Sequence, residues 1–220
     1  MTAVSPLMLA IQNRDPAAAK AALERDASQA TAELPGGLSP LMFALYHGAH
    51  DIAGLLREFR PLSVYEAAAF GDARTVTQHV LADAALLQSC SPDGWTPLHL
   101  AAFFGNRDAA LVLIGLGAPL DAESENPMRN TPLHAAIAGA AGESLAPLLI
   151  ALGADVQRVG GTDVTALHLA ASRGFENLCK LLMARGVDLQ ARTEDGKTAA
   201  GIARDRGHLA TAAMLELAVN

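Results

Sequence analysis

Thr96-Pro97-Leu98-His99-Leu100-Ala101-Ala102 returns as Thr131-Pro132-Leu133-His134-Ala135-Ala136 and again as Thr165-Ala166-Leu167-His168-Leu169-Ala170-Ala171. Weaker copies begin at Ser5 (Ser-Pro-Leu-Met-Leu-Ala), Ser39 (Ser-Pro-Leu-Met-Phe-Ala), Leu62 (Leu-Ser-Val-Tyr-Glu-Ala-Ala) and Thr198 (Thr-Ala-Ala-Gly-Ile-Ala). The starts at 5, 39, 62, 96, 131, 165 and 198 stand 34, 23, 34, 35, 34 and 33 residues apart. A unit this short cannot bury its apolar face alone, so neighbours must stack and share one continuous core.

Each residue type in the unit has a physical reason. The opening Thr or Ser can cap a helix, its oxygen accepting an orphan backbone N–H. Proline fits the first helical turn, where a missing N–H costs nothing. Leucine and paired alanines make a thin apolar face that lets helices approach closely. Nine residues after the start comes a glycine (Gly48, Gly71, Gly105, Gly174, Gly207), suited to the left-handed conformation that ends a helix. A second amphipathic helix follows, as at Asp108 to Leu116 and Glu176 to Ala184, and stops at Gly117-Ala118, Gly153-Ala154 or Gly186-Val187.

The Thr-Pro-Leu-His-x-Ala-Ala segments, the mid-repeat glycines and Leu152-Gly153-Ala154-Asp155 resemble the ankyrin repeat family over essentially the whole chain. The resemblance implies an all-α solenoid, a single domain over residues 1–220 with about seven helix-turn-helix repeats. β-Turn or hairpin loops would project from it as a row of fingers. It also implies that the recurrent histidine hydrogen-bonds within the turn network.

Four departures carry expectations of their own. Between Ser39 and Leu62 the spacing is too short for a finger, so one finger is expected to be missing near residue 60, with the helix over Ile52 to Phe59 running through Arg60-Pro61 into the next start. The repeat from Thr131 holds one extra residue near Ala140-Ala141-Gly142, which shifts its turn. Arg14 stands where glycine is expected, predicting an irregular first turn. The terminal repeats read as caps with a wettable face, Glu216 replacing a leucine.

Composition limits the function. Apolar residues make up 51% of the 220, aromatics only 4%, and the formal charge is -7 with no basic run, which argues against a nucleic-acid partner. The start Met1-Thr2-Ala3-Val4-Ser5-Pro6 has no basic leader region, and no apolar run approaches the ~18 residues that cross a bilayer, so a cytoplasmic protein off the membrane is expected. Cys90 and Cys179 are not spaced as a disulfide framework or metal knuckle and are expected as reduced thiols.

No cofactor, metal or catalytic residue is expected. His99, His134 and His168 recur once per repeat, about 10 Å apart, too far to share an ion. His47, His50 and Asp51 straddle Gly48, which breaks the helical face they would need. Cys179 and His168 occupy packing positions rather than a nucleophile–base pair. Nothing predicts a deep pocket of the enzymatic kind.

What remains is a non-catalytic module that binds a protein partner. Ankyrin proteins use the residues before the cap and before the mid-repeat glycine, so the resemblance carries the role to Tyr46, His47, Ala69, Phe70, Trp95, Phe103, Phe104, Met128, Asn130, Asp163, Val164, Ser172, Arg173, Glu194 and Lys197. Of one Trp, two Tyr and six Phe, five fall here, which predicts an exposed aromatic patch over repeats two to four. The candidate binding residues are Tyr46, Phe70, Trp95, Phe103, Phe104, Met128 and Arg173. Trp95 has a second reading, stiffening its own finger, and Phe70 and Phe104 have one as packing groups between adjacent helices. A monomer is expected, with a homodimer through the patch as the alternative and an enzyme or metal protein as the remote one.

Overall fold

The computed structural model describes residues 5–34 and 36–219, so the start at Met1 to Val4 and Pro35 of the Pro35-Gly36-Gly37 loop lie outside the described residues. Among the described residues fourteen α-helices form seven packed pairs. These are α1 (Pro6–Gln12) with α2 (Pro16–Arg25), α3 (Pro40–Tyr46) with α4 (His50–Leu56), α5 (Val64–Phe70) with α6 (Ala73–Ala82), and α7 (Pro97–Phe103) with α8 (Arg107–Gly115). The series continues with α9 (Pro132–Ala138) and α10 (Gly142–Ala151), α11 (Ala166–Ser172) and α12 (Glu176–Ala184), then α13 (Ala199–Asp205) and α14 (Leu209–Val219). First helices pack in series, α3 on α5, α5 on α7, α7 on α9 and onward to α13.

The caps work as their residue types dictate. Ser5, Ser39, Ser63, Thr96, Thr165 and Thr198 each accept the backbone N–H three residues on, a bond whose loss costs about 1 kcal/mol. The third repeat therefore begins at Ser63, one residue later than Leu62. Ala44, Ala67, Ala68, Ala101, Ala102, Ala136, Ala170 and Ala171 are wholly buried between the helices. With only a methyl there, neighbouring backbones can pack at van der Waals distance.

Turns inside the repeats close as Schellman motifs: in the fourth, Gly105 has φ 77° and Asn106 N–H reaches the Ala101 carbonyl. The first turn is regular, contrary to expectation. Arg14 itself adopts φ 53°, Asp15 N–H reaches the Ala10 carbonyl, and the Arg14 Nε–H donates to His47 O at 2.8 Å. The inter-repeat bond offsets the cost of a left-handed arginine. The fifth repeat is the one that deviates. Gly139 is extended (φ -84°, ψ -164°) and Ala140 N–H donates to Phe103 O of the repeat before at 3.0 Å. A Cβ at Gly139 would overlap that same carbonyl, so only glycine fits.

The connection from α4 to α5 is short, as expected, but α4 stops at Leu56, because Glu58 and Phe59 N–H groups fold back on Leu55 and Leu56 carbonyls. The gap this leaves in the loops is closed: a methyl on Gly37 would lie 2.7 Å from Pro92, so the loop before the second repeat touches the one before the fourth. The last helix departs from a wettable cap. Glu216 pairs with Arg204, yet Leu209 and Leu217 are 66% and 78% exposed. Among the described residues no helix is long and apolar enough to cross a membrane.

Candidate protein-binding groove

The loops that precede the first helices are tight turns closed by the backbone. Ser91 N–H meets Trp95 O at 2.9 Å, Ser124 meets Asn130 O at 2.9 Å, Gly160 meets Val164 O at 2.8 Å and Thr193 meets Lys197 O at 3.0 Å. Successive loops are also tied to one another: Glu125 N–H to Gly94 O, Gly161 N–H to Met128 O and Glu194 N–H to Thr162 O, at 2.9, 2.5 and 3.0 Å.

The repeat histidines anchor these loops from below. Thr165 N–H donates to His168 Nδ1 at 3.1 Å, which leaves the ring proton on Nε2, facing Ala191 O at 3.1 Å. His99 faces the Thr96 hydroxyl through Nδ1 at 2.7 Å and Asn130 O through Nε2 at 2.8 Å. His134 Nδ1 accepts from Thr131 N at 3.3 Å, and its buried Nε2 makes no hydrogen bond within normal limits although the Val164 carbonyl favours its proton. Burial depresses His99 and His134 to about 4, and lowers His168. His99 and His134 are thereby held as neutral rings near pH 7.

Between this row of loops and the first helices lies a groove of about 320 Å³. Its walls are Tyr46 of α3, Asp93 and Trp95 of one loop, His99, Leu100 and Phe103 of α7, Met128 and Asn130 of the next loop, and Ala135 and Ala138 of α9. Tyr46 belongs to the second repeat, yet it joins a groove built otherwise from the fourth and fifth. Its ring meets Phe103 at 6.2 Å and Phe104 at 5.4 Å, and its hydroxyl donates to Asp93 Oδ2 at 2.6 Å. Burial and the Asp93 carboxylate keep that hydroxyl protonated well above the usual phenol range.

Tyr46, Trp95, Phe103 and Met128 thus come together, with Met128 the most open at 57% exposure. Phe104 buttresses the cluster edge-on against Phe103 at 5.2 Å. Trp95 also lies 5.5 Å from the His99 ring, so it both lines the groove and stiffens its loop. Phe70 is elsewhere, roofed by the Arg57 guanidinium at 4.9 Å. Arg173 does not extend the aromatic patch. It caps α9, donating to Ala138 O at 2.8 Å and Gly139 O at 3.3 Å, and lies 5.1 Å over Phe175.

Asp93 was not legible as a groove residue, since its role depends on Tyr46 arriving from 47 residues away. Glu66 was overlooked although Ser63-Val64-Tyr65-Glu66 has the Ser-x-x-Glu form of a capping box. It sits where other repeats place histidine, 2% exposed and paired with Arg60. His47 turns Nδ1 onto Phe43 O at 2.9 Å, and Cys179 is buried with its thiol pushed by desolvation up to about 12.

A row of like helix pairs, each packed on the next, defines a solenoid repeat protein. A family model described as ankyrin repeats (3 copies) matches residues 64–160 and 140–217, and the chain belongs to the ankyrin repeat family. Over 173 residues, 79% of its length, it is 34% identical to a transient receptor potential cation channel subfamily A member 1 homolog from Caenorhabditis elegans. It spans 14% of that protein. Ankyrin repeats generally mediate protein–protein interaction and are typically non-catalytic.

Proposed function

We propose that this chain is a non-catalytic adaptor, scaffold or inhibitor that holds a protein partner in the groove walled by Tyr46, Trp95, Phe103 and Met128. The observation that carries the reading is the convergence of aromatic and thioether side chains from separate repeats on one open, apolar hollow. Loops tied by backbone hydrogen bonds lose little freedom when a partner docks, so a modest contact area suffices. Thiols that are unpaired in both Cys90 and Cys179 support a cytoplasmic setting. We favour a monomer over self-association through the groove.

Affinity capture with the wild type and a Phe103→Ala/Met128→Ala variant tests the reading, with thermal melting as the folding control. Loss of bound proteins by a variant that still melts cooperatively is expected. Equal capture by both would reject the groove as the binding site. Sedimentation at rising concentration addresses the alternative: a dimer weakened by the same substitutions would make this a self-associating protein.

A further inference from the structure

The groove has one charged wall and no lysine or arginine in its lining, and that asymmetry restricts what can fill it. Among its lining residues Asp93 alone carries a formal charge, His99 being held neutral. Asp93 is fixed in place, Oδ2 accepting from the Tyr46 hydroxyl and Oδ1 from Ser91 Oγ, both at 2.6 Å. Both donors are neutral, and none of the ion pairs among the described residues involves Asp93. A carboxylate offers about four acceptor directions, so room remains for donors brought by a partner.

The surroundings repeat the same sign. Glu125 stands on the adjacent loop, its N–H on Gly94 O and its neighbour Asn126 bonded to Asp93 O at 3.1 Å. The cations of the loop row are engaged within the chain: Arg129 and Arg158 on Glu123, Lys197 on Asp205, Arg192 on Gly196 O. Arg173, outside the groove lining, is turned into the Ala138 and Gly139 carbonyls.

We infer that the groove takes an apolar side chain carried beside a lysine or arginine, so that the partner segment is basic as well as apolar. The inference rests on the docking reading above and names the chemistry of its partner. An apolar anchor fills the hollow, and the adjacent cation compensates Asp93 as water leaves. A neutral or acidic segment would strip water from that carboxylate with nothing in return. The rings of Tyr46, Phe103 and Trp95 favour a cation at their faces. The net charge of -7 draws a basic segment in from a distance.

Three pools of short fluorescent peptides with random flanks test this by anisotropy. One fixes a central leucine followed by arginine, the second leucine followed by glutamate, the third serine followed by arginine. The leucine–arginine pool is expected to bind about tenfold tighter than either other pool, in keeping with a charge-assisted contact. Asp93→Asn, whose amide can accept from one of the Tyr46 and Ser91 hydroxyls and donate to the other, should abolish that pool's lead over leucine–glutamate while the protein still melts cooperatively. Equal binding of the leucine–glutamate pool, or a preference that survives Asp93→Asn, overturns the basic-partner inference and leaves docking intact. Equal binding of the serine–arginine pool, or binding of no pool, overturns it also. Sedimentation showing a second copy seated in the groove would replace it. Docking as such fails only if groove variants leave protein capture unchanged.

Discussion

The guanidinium of Arg60 lies against both carboxylate oxygens of Glu66, six residues on, with Nη1 2.9 Å from Oε2. In α7 the corresponding side chain, His99, reaches forward to the next loop at Asn130. Glu66 reaches backward to Ser39 Oγ at 2.5 Å and accepts Ser63 N–H at 2.9 Å. A carboxylate therefore ties together a repeat that has no loop to tie.

Removing one partner of this pair should be costly. Glu66→Gln and Arg60→Ala are each expected to lower stability by roughly 2–4 kcal/mol, because each strands buried polar groups. The double variant should lose less than the two single losses added together. Urea melts of the four proteins measure this. Strict additivity would mean that the pair does not act as a unit.

Glycines should differ in sensitivity by what surrounds them. Gly139→Ala puts a methyl on the Phe103 carbonyl of the neighbouring repeat and should cost several kcal/mol, on the order of an overpacked core site. Gly153→Ala meets open space and suffers only from its φ of 104°, an effect of about 1 kcal/mol. Thermal melts that rank them the other way would contradict the inter-repeat contact.

Acid should loosen the stack. His99 and His134 fall from 6.5 to about 4 on burial, so protons bind the unfolded chain first. Their stability is whole above pH 6.5 and drains as pH falls towards 4, on the order of 3 kcal/mol per histidine once both states are protonated. Glu66 adds in the same direction. Burial opposes its charge, but Ser39, Arg60 and Ser63 outweigh burial and hold its pKa below the usual value, so its contribution is lost as pH drops through that lower value. Urea midpoints should hold level from pH 7.5 to 6.5 and fall from there to pH 4.5, and His99→Gln should flatten the fall.

The cysteines should report opening separately. Cys90 is half-buried and burial with Glu125 nearby raises its thiol, while Cys179 is fully buried with a thiol near 12. A disulfide reagent at neutral pH should modify Cys90 slowly in the native protein and Cys179 only at the rate of unfolding. Simultaneous labelling of both would be inconsistent with this packing.

The repeat was legible because each unit states its own cap, alanine face and turn in adjacent residues. Five groove residues, Tyr46, Trp95, Phe103, Met128 and Asn130, were legible for the same reason: they occupy fixed places in the unit. Asp93 and Ala138 were not, since they matter through neighbours one or two repeats away. The settings of Arg14 and Arg173 were not legible either. The regular turn at Arg14 depends on the His47 carbonyl, and Arg173 spends its guanidinium on α9, partners that no stretch of contiguous sequence announces.

The bonds from Glu125 to Gly94, Gly161 to Met128 and Glu194 to Thr162 have a mechanical consequence. A lateral force on one loop tip is shared with the tips beside it instead of bending a lone prong. From Gly94 to Glu194 the row behaves as a comb whose teeth are laced together, and its spacing is set before anything is grasped.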